Sequence, residues 1–308
     1  MAELNEGIKR FLLEYNKKAT DLQTLSLKDR QKLVDSIIDG NPSQSLEGEE
    51  WNIEWNGRQI PILIYRPEIE DDVPIFIFLH GGATIYNTNV SRQKFCKLIS
   101  ETANVLVIAV SYKETPQFQF PEAIEDGLAV IEWILADEFR LWNPQKIILA
   151  GEGAGGNIAN AISMRHNKSN HEIPIYKQFL LSPILDLVSL KTPSYKSYET
   201  GYFLEKWMIE EYRYNYINDE SELMDPLVSP LYLSDFRSIP PTTIITTEFD
   251  ILHDEGKEYS VKLKQQGVTV NYHELDGVIH NFLSLQAWDP IVEKNMSKIL
   301  EIIKTNLL

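Results

Sequence analysis

Apolar residues follow two kinds of spacing along this chain. Between residues 4 and 40 they recur at helical intervals, as Ile8, Phe11, Leu12 and Tyr15, then as Leu33, Ile37 and Ile38. Gly40-Asn41-Pro42 ends that helical section. Segments 51–56 and 59–66 flank Asn56-Gly57, a dipeptide that tolerates the positive φ angles of a tight hairpin turn. Beyond the hairpin the pattern changes to short, continuous apolar runs at Val73–Leu79, Val105–Val110, Lys146–Ala150, Gln178–Ser182 and Thr242–Thr247, with Val268–Glu274 as a further candidate. Continuous apolarity suits strands buried on both faces of a mainly parallel sheet.

Helical patterns lie between these runs. Pro121 occupies a first helical position, with Ile124, Leu128, Ile131 and Leu135 on one face. Residues Asn157–Arg165, Asp254–Gln265 and 290–306 follow the same logic. The alternation predicts an α/β fold with a mostly parallel central sheet flanked by helices and opened by an antiparallel hairpin. Residues 186–220 break the rhythm. They are rich in Tyr, Ser and Glu, with one helix expected at Glu205–Tyr216. Such an insertion can cover the C-terminal ends of the strands, where open α/β sheets bind ligands.

Charge narrows the field. The chain has 308 residues, with 29 Lys+Arg against 45 Asp+Glu, so 29 − 45 = −16. A surface this acidic repels nucleic-acid phosphates and anionic lipid unless a basic patch intervenes. The most basic stretch, Lys257 to Lys264, is interleaved with Glu258 and reads as a solvated helix face. No nucleic-acid or membrane partner is expected. A lone cysteine, Cys96, cannot form an intrachain disulfide, and the N-terminus lacks an apolar signal core. No apolar run approaches the roughly 18–20 residues that span a bilayer. A cytoplasmic protein is the expectation. The six histidines are scattered without ligand spacing, so no metal site is expected.

Three motifs at strand ends carry candidate chemistry. His80-Gly81-Gly82-Ala83 follows the 73–79 run. Its glycines either expose N–H groups to an anion or simply form a tight turn. Gly151-Glu152-Gly153-Ala154-Gly155-Gly156-Asn157 sits between a strand and a helix. It fits a sharp strand-to-helix turn and also, loosely, a dinucleotide loop. For the latter it lies in mid-chain, and the positions about 20 residues on are His171-Glu172 in a polar stretch. Asp250 and His280 follow successive strands. They can meet at one sheet edge, where the carboxylate would orient the imidazole as a base. Alternatively, Asp250 caps the next helix and His280 anchors a loop.

In combination these motifs resemble the hormone-sensitive-lipase-like family of α/β-hydrolases. The resemblance runs from about residue 60 to the C-terminus. It rests on His80-Gly81-Gly82, Ser111-Tyr112 with Phe120-Pro121 and Asp126, and Gly151-x-x-Ala154-Gly155-Gly156-Asn157. It continues through Asp225-Pro226 with Ser229-Pro230, Asp250-x-Leu252-x-Asp254-Glu255-Gly256, and His280-x-Phe282. The order elbow, acid, histidine is that of the α/β-hydrolases. The resemblance implies hydrolysis of small or medium acyl carboxylic esters without a cofactor. It implies an oxyanion hole from the N–H groups of Gly81, Gly82 and Ala154, and a base, His280, oriented by Asp250. Residues 1–45 and 186–220 would form a cap over a core of residues 46–185 and 221–308. Tyr202, Phe203 and Trp207 would line the pocket for an ester or another apolar ligand, or else form cap core. An edge strand of the sheet could support a homodimer.

One departure bears on the activity. The family's elbow reads Gly-x-Ser-x-Gly, and here the serine position is Gly153. Glycine has no nucleophile. Removing the attacking serine from a serine hydrolase costs about 10⁶ in turnover, so the expected esterase activity is very low. Either serine has been exchanged for glycine in an otherwise intact esterase, or the glycine is native and the pocket serves ligand binding or altered chemistry. Smaller departures are Ala83, in place of a third glycine, and Gln117, in place of glutamate.

Overall fold

The computed structural model describes residues 3–38, 48–69, 72–82, 89–138, 143–169, 174–286 and 288–307. Gly40-Asn41-Pro42, Ala83 and His171-Glu172 lie outside them. Eight strands form one sheet: β1 Glu49–Trp55, β2 Arg58–Tyr65, β3 Pro74–Leu79, β4 Leu106–Val110, β5 Asn143–Glu152, β6 Ile175–Leu181, β7 Thr242–Phe249 and β8 Val270–Ile279. Their spatial order is β1-β2-β4-β3-β5-β6-β7-β8. The pairings β1–β2 and β2–β4 are antiparallel, and every other pairing is parallel. The hairpin closes with Trp55 opposite Arg58, and Asn56 and Gly57 take φ of 47° and 76°, as a two-residue primed turn requires.

The helices are α1 Glu6–Lys18, α2 Leu27–Ile38, α3 Asn89–Ala103, α4 Glu122–Trp133, α5 Ala154–Lys168, α6 Pro193–Ser197, α7 Lys206–Tyr216, α8 His253–Gln265 and α9 Ile291–Asn306. None of the described helices is long and apolar enough to cross a membrane. Ile75–Leu79, Leu106–Ile108 and Ile147–Ala150 are all buried, which accounts for the unbroken apolar runs of β3, β4 and β5.

Several boundaries differ from the sequence pattern. The N-terminal helical section is two helices, parted at residues 19–26 around a short 3₁₀ turn at Leu22–Thr24. Pro121 is the residue before α4 rather than its first. Strand β8 does not stop at Glu274. It continues through Asp276-Gly277 to Ile279, and the register against β7 shifts between Thr247 and Phe249. The extra length carries the chain to His280 directly from the sheet.

Helices α1 and α2 pack on the segment 193–216. Phe203 lies between Phe11 and Tyr15, at ring-centroid distances of 5.7 and 4.9 Å. Arg30 pairs with Glu211. The Asn5 N–H donates to Gly277 O at 3.0 Å, and the Gly7 N–H donates to Asp289 Oδ2 at 2.8 Å. This helical layer therefore sits at the end of the sheet where β7 and β8 finish.

Candidate active site

Strand β5 ends at Glu152 and α5 begins at Ala154, so one residue makes the turn between them. Gly153 adopts φ 55° and ψ −117°, a region that a side chain disfavours. Its N–H donates to Leu181 O at 3.0 Å, and its carbonyl accepts from Ile184 N at 3.1 Å and Asn157 N at 3.2 Å. The turn is thus held by its backbone. Close approach supplies the rest. A Cβ on Gly155 would meet Leu79 O at 2.2 Å, and one on Gly81 would meet Glu152 O at 2.8 Å. Those two glycines let the loop after β3 press against the turn after β5. Ala154 is the first residue of α5, so its N–H belongs to the group that a helix leaves without an intrahelical acceptor.

At the ends of β7 and β8, His280 Nδ1 lies 2.8 Å from Asp250 Oδ2. Asp250 Oδ2 also accepts from Thr247 Oγ1 at 3.0 Å, and Oδ1 accepts from Leu252 N at 2.9 Å. One carboxylate therefore both orients the histidine and shapes the turn into α8. Both residues are buried. Burial opposes the charge on His280, but the Asp250 charge and hydrogen bond outweigh it, with help from Glu152. Its pKa is held above the ordinary imidazole value. Burial likewise opposes the Asp250 charge. The His280 interaction and the hydrogen bonds from Leu252 and Ser182 prevail, holding the carboxyl below its usual range.

The two halves meet. A Cβ built on Gly153 would stand 3.4 Å from His280 Nε2 and 3.6 Å from Cε1. The imidazole edge opposite Asp250 faces residue 153, with the backbone of Gly81 packed one residue away. A family model described as alpha/beta hydrolase fold matches residues 76–284, well over half of the chain. This chain belongs to the α/β-hydrolase fold family.

Relatives within the α/β-hydrolases agree. The chain is 29% identical over 287 residues to an arylesterase of Saccharolobus solfataricus, covering 91% of this chain and 92% of that one. It is 28% identical over 256 residues to an ethyl acetate hydrolase of Pseudomonas putida, covering 82% and 80%. The crystal structure of a thermostable esterase from Pseudomonas putida superposes with a TM-score of 0.90 at 26% identity, covering 99% of this chain and 98% of that one.

The remaining predicted site residues divide. Tyr202 stacks on Phe249 at 6.1 Å and 8°, one residue before Asp250. Phe203 is buried against Phe11 and Tyr15. Trp207 lies 4.9 Å beneath the Arg30 guanidinium and donates to Glu205 at 2.8 Å. Tyr202 thus lies beside the residue that precedes Asp250, and the other two lie in the layer formed with α1 and α2. Gly82 follows Gly81 at the last described position of its loop. Cys96 is buried, and burial pushes its thiol far up, so it supplies no nucleophile. The Ser182 hydroxyl is 3.4 Å from Thr247 Oγ1, which donates to Asp250 Oδ2, the same oxygen that lies 2.8 Å from His280 Nδ1.

Sequence reasoning missed three features. Glu152 is buried and paired with Arg92 Nε at 3.1 Å, and Arg92 also reaches Asn281 Oδ1 at 3.4 Å. An ion pair between α3 and the elbow thus braces the residues next to Gly153 and His280. His80 stacks on Tyr112 at 4.6 Å, and Tyr112 Oη donates to the His80 carbonyl at 2.6 Å. Burial and the nearby Arg92 charge push His80 down to about 4, so it is neutral, with Nδ1 2.8 Å from Gly81 O. Tyr212 and Tyr216, on α7, border a small pocket beside Ala154. Their i, i+4 spacing marked them only as one face of a helix.

Proposed function

We propose that this chain carries the site of a carboxylic ester hydrolase for small or medium acyl esters, and that Gly153 leaves it nearly inactive. The observation that carries this reading is the position of His280 Nε2, 3.4 Å from where a residue-153 Cβ would lie. Asp250 orients the ring, His280 serves as the base, and the N–H groups of Gly81, Gly82 and Ala154 receive the oxyanion. Only the attacking hydroxyl is missing. The ester-hydrolase names of the relatives support the substrate class. Helices α1 and α2 and the segment 186–220 act as the cap. The experiment is Gly153→Ser, assayed on p-nitrophenyl acetate and butyrate.

A second reading keeps the chain as it stands. The backbone at 153 suits glycine, and the space between it and Nε2 can receive a water or a bound ligand. The pocket would then bind a small apolar molecule without hydrolysis, or His280 would activate a water slowly. A ligand recovered unchanged after raising the melting temperature supports binding. Weak hydrolysis abolished by His280→Ala supports the water route, and hydrolysis that survives this substitution excludes it.

A further inference from the structure

One guanidinium on α3 touches all three loops of the candidate site. Arg92 Nε donates to Glu152 Oε2 at 3.1 Å, and Glu152 is the residue before the elbow glycine. Arg92 Nη2 donates to Asn281 Oδ1 at 3.4 Å, and Asn281 is the residue after His280. The same Nη2 stands 3.5 Å from where a Cβ on Gly81 would lie, in the loop after β3. Arg92, Glu152 and Asn281 are each buried. A buried ion pair costs both charges their hydration and is weak evidence of net stabilisation, so its place here calls for another account. The fork supplies one. A guanidinium is planar and holds two acceptors at fixed angles, whereas an ammonium is a single point of charge. Asn281 takes a left-handed φ of 58°, so the chain bends just past His280, and the Arg92 bond fixes that bend from the side.

We propose that Arg92 is a positioning residue for catalysis: through Glu152, Asn281 and Gly81 it sets the distances among the elbow, the histidine and the oxyanion loop. It acts through these neighbours rather than on the ester itself. This rests on the esterase reading and adds to it a residue outside the triad and the oxyanion hole. The pair also bears on His280. Burial opposes the imidazolium charge, Asp250 favours it most, Glu152 adds to that, and Arg92 opposes it. These three charged groups reach the ring from the turn after β7, the end of β5 and α3.

The test reads turnover in the Gly153→Ser variant and the titration of His280, by NMR, in the chain as it stands. Arg92→Lys keeps the charge and loses the fork. Glu152→Gln keeps an acceptor and loses the charge. In the Gly153→Ser background each should lower kcat on p-nitrophenyl butyrate by at least about tenfold, within the roughly 100-fold that a 1 Å misplacement can cost. KM should stay within about twofold, because ground-state binding is untouched. In the chain itself, Glu152→Gln should lower the His280 pKa, since the Arg92 charge is then unopposed. A brace that only held the fold together would move the melting temperature without this split between kcat and KM. If one variant fails to fold, the other carries the kinetic test. A loss of less than about tenfold in either folded variant, a loss confined to KM, or an unmoved His280 pKa overturns the inference and leaves the esterase reading in place. An inactive Gly153→Ser parent overturns the esterase reading and this inference with it.

Discussion

Restoring a hydroxyl at position 153 has a calculable outcome. A Cβ there stands 3.4 Å from His280 Nε2. A Cβ–Oγ bond of about 1.4 Å, meeting the acceptor at roughly 110°, places Oγ about 2.6 Å from Nε2, within the reach required of a nucleophile–base pair. No neighbour has to move. Gly153→Ser should therefore recover most of the factor of about 10⁶ that nucleophile loss costs such enzymes. The backbone exacts a penalty. A side chain at φ 55°, ψ −117° costs about 1–3 kcal/mol, so the variant should melt several degrees lower. Turnover of p-nitrophenyl butyrate and stoichiometric labelling by a fluorophosphonate, mapped to residue 153, are the two measurements. A folded variant with less than about a tenfold gain and no label at 153 would refute the reasoning, since the geometry leaves no other step to restore.

In the same Gly153→Ser background, Asp250→Asn should lower kcat by about 10⁴, because the ring loses its orientation and the charge that stabilises its protonated form. The acid limb of kcat/KM should fall above the ordinary imidazole pKa of about 6.5, because His280 acts as a base only when neutral and its pKa is raised. Stability follows the same pair. The His280 contribution is complete below its unfolded pKa and is lost as pH rises through its raised folded value. The Asp250 contribution is present above its unfolded pKa and is lost as pH falls through its lowered one. The urea midpoint difference between the chain and Asp250→Asn should therefore be greatest between about pH 4 and 6.5 and narrow on either side. Gly155→Ala should cost at least about 1–3 kcal/mol, since its Cβ would lie 2.2 Å from Leu79 O. A melting temperature within a degree of the parent would contradict that packing. His253 lies 2.8 Å from Glu274 and 3.0 Å from Asp254, and despite the opposing burial these carboxylates raise its pKa. Glu274→Gln should destabilise by under about 1 kcal/mol at pH 5.5 and by less at pH 9, because this partly exposed pair loses its contribution as His253 deprotonates. An equal effect at both pH values would show that the bond acts without its charge.

The sheet was legible because burial on both faces writes itself as unbroken apolar runs, as at Ile75–Leu79 and Ile147–Ala150. The β8 boundary was not, because Asp276-Gly277 has turn chemistry, and only the shifted register against β7 keeps it in the ladder. The positions of Gly153, Asp250 and His280 followed from motif order. What order could not give was reach. The Arg92–Glu152 pair joins residues that no periodicity relates, and it forms only once α3 packs beside the elbow. Likewise, Tyr202, Phe203 and Trp207 look alike in sequence. Their fates differ because Phe203 meets Phe11 and Tyr15, Trp207 meets Arg30, and only Tyr202 reaches Phe249.

The bond from Asn5 to Gly277 ties nearly the first described residue to the last strand. It carries a consequence for how the molecule comes into being. Contacts of such sequence separation form late, since the loop they close must be ordered first. On a growing chain, the end of β8, His280 and the anchor points of the first turn of α1 emerge close together. The Phe11, Tyr15 and Arg30 contacts need only residues 203–211, whereas the Asn5 and Gly7 anchors wait for Gly277 and Asp289. The Asp250–His280 pair and the anchoring of the first turn of α1 are therefore completed together, after the seven other strands of the sheet have been made.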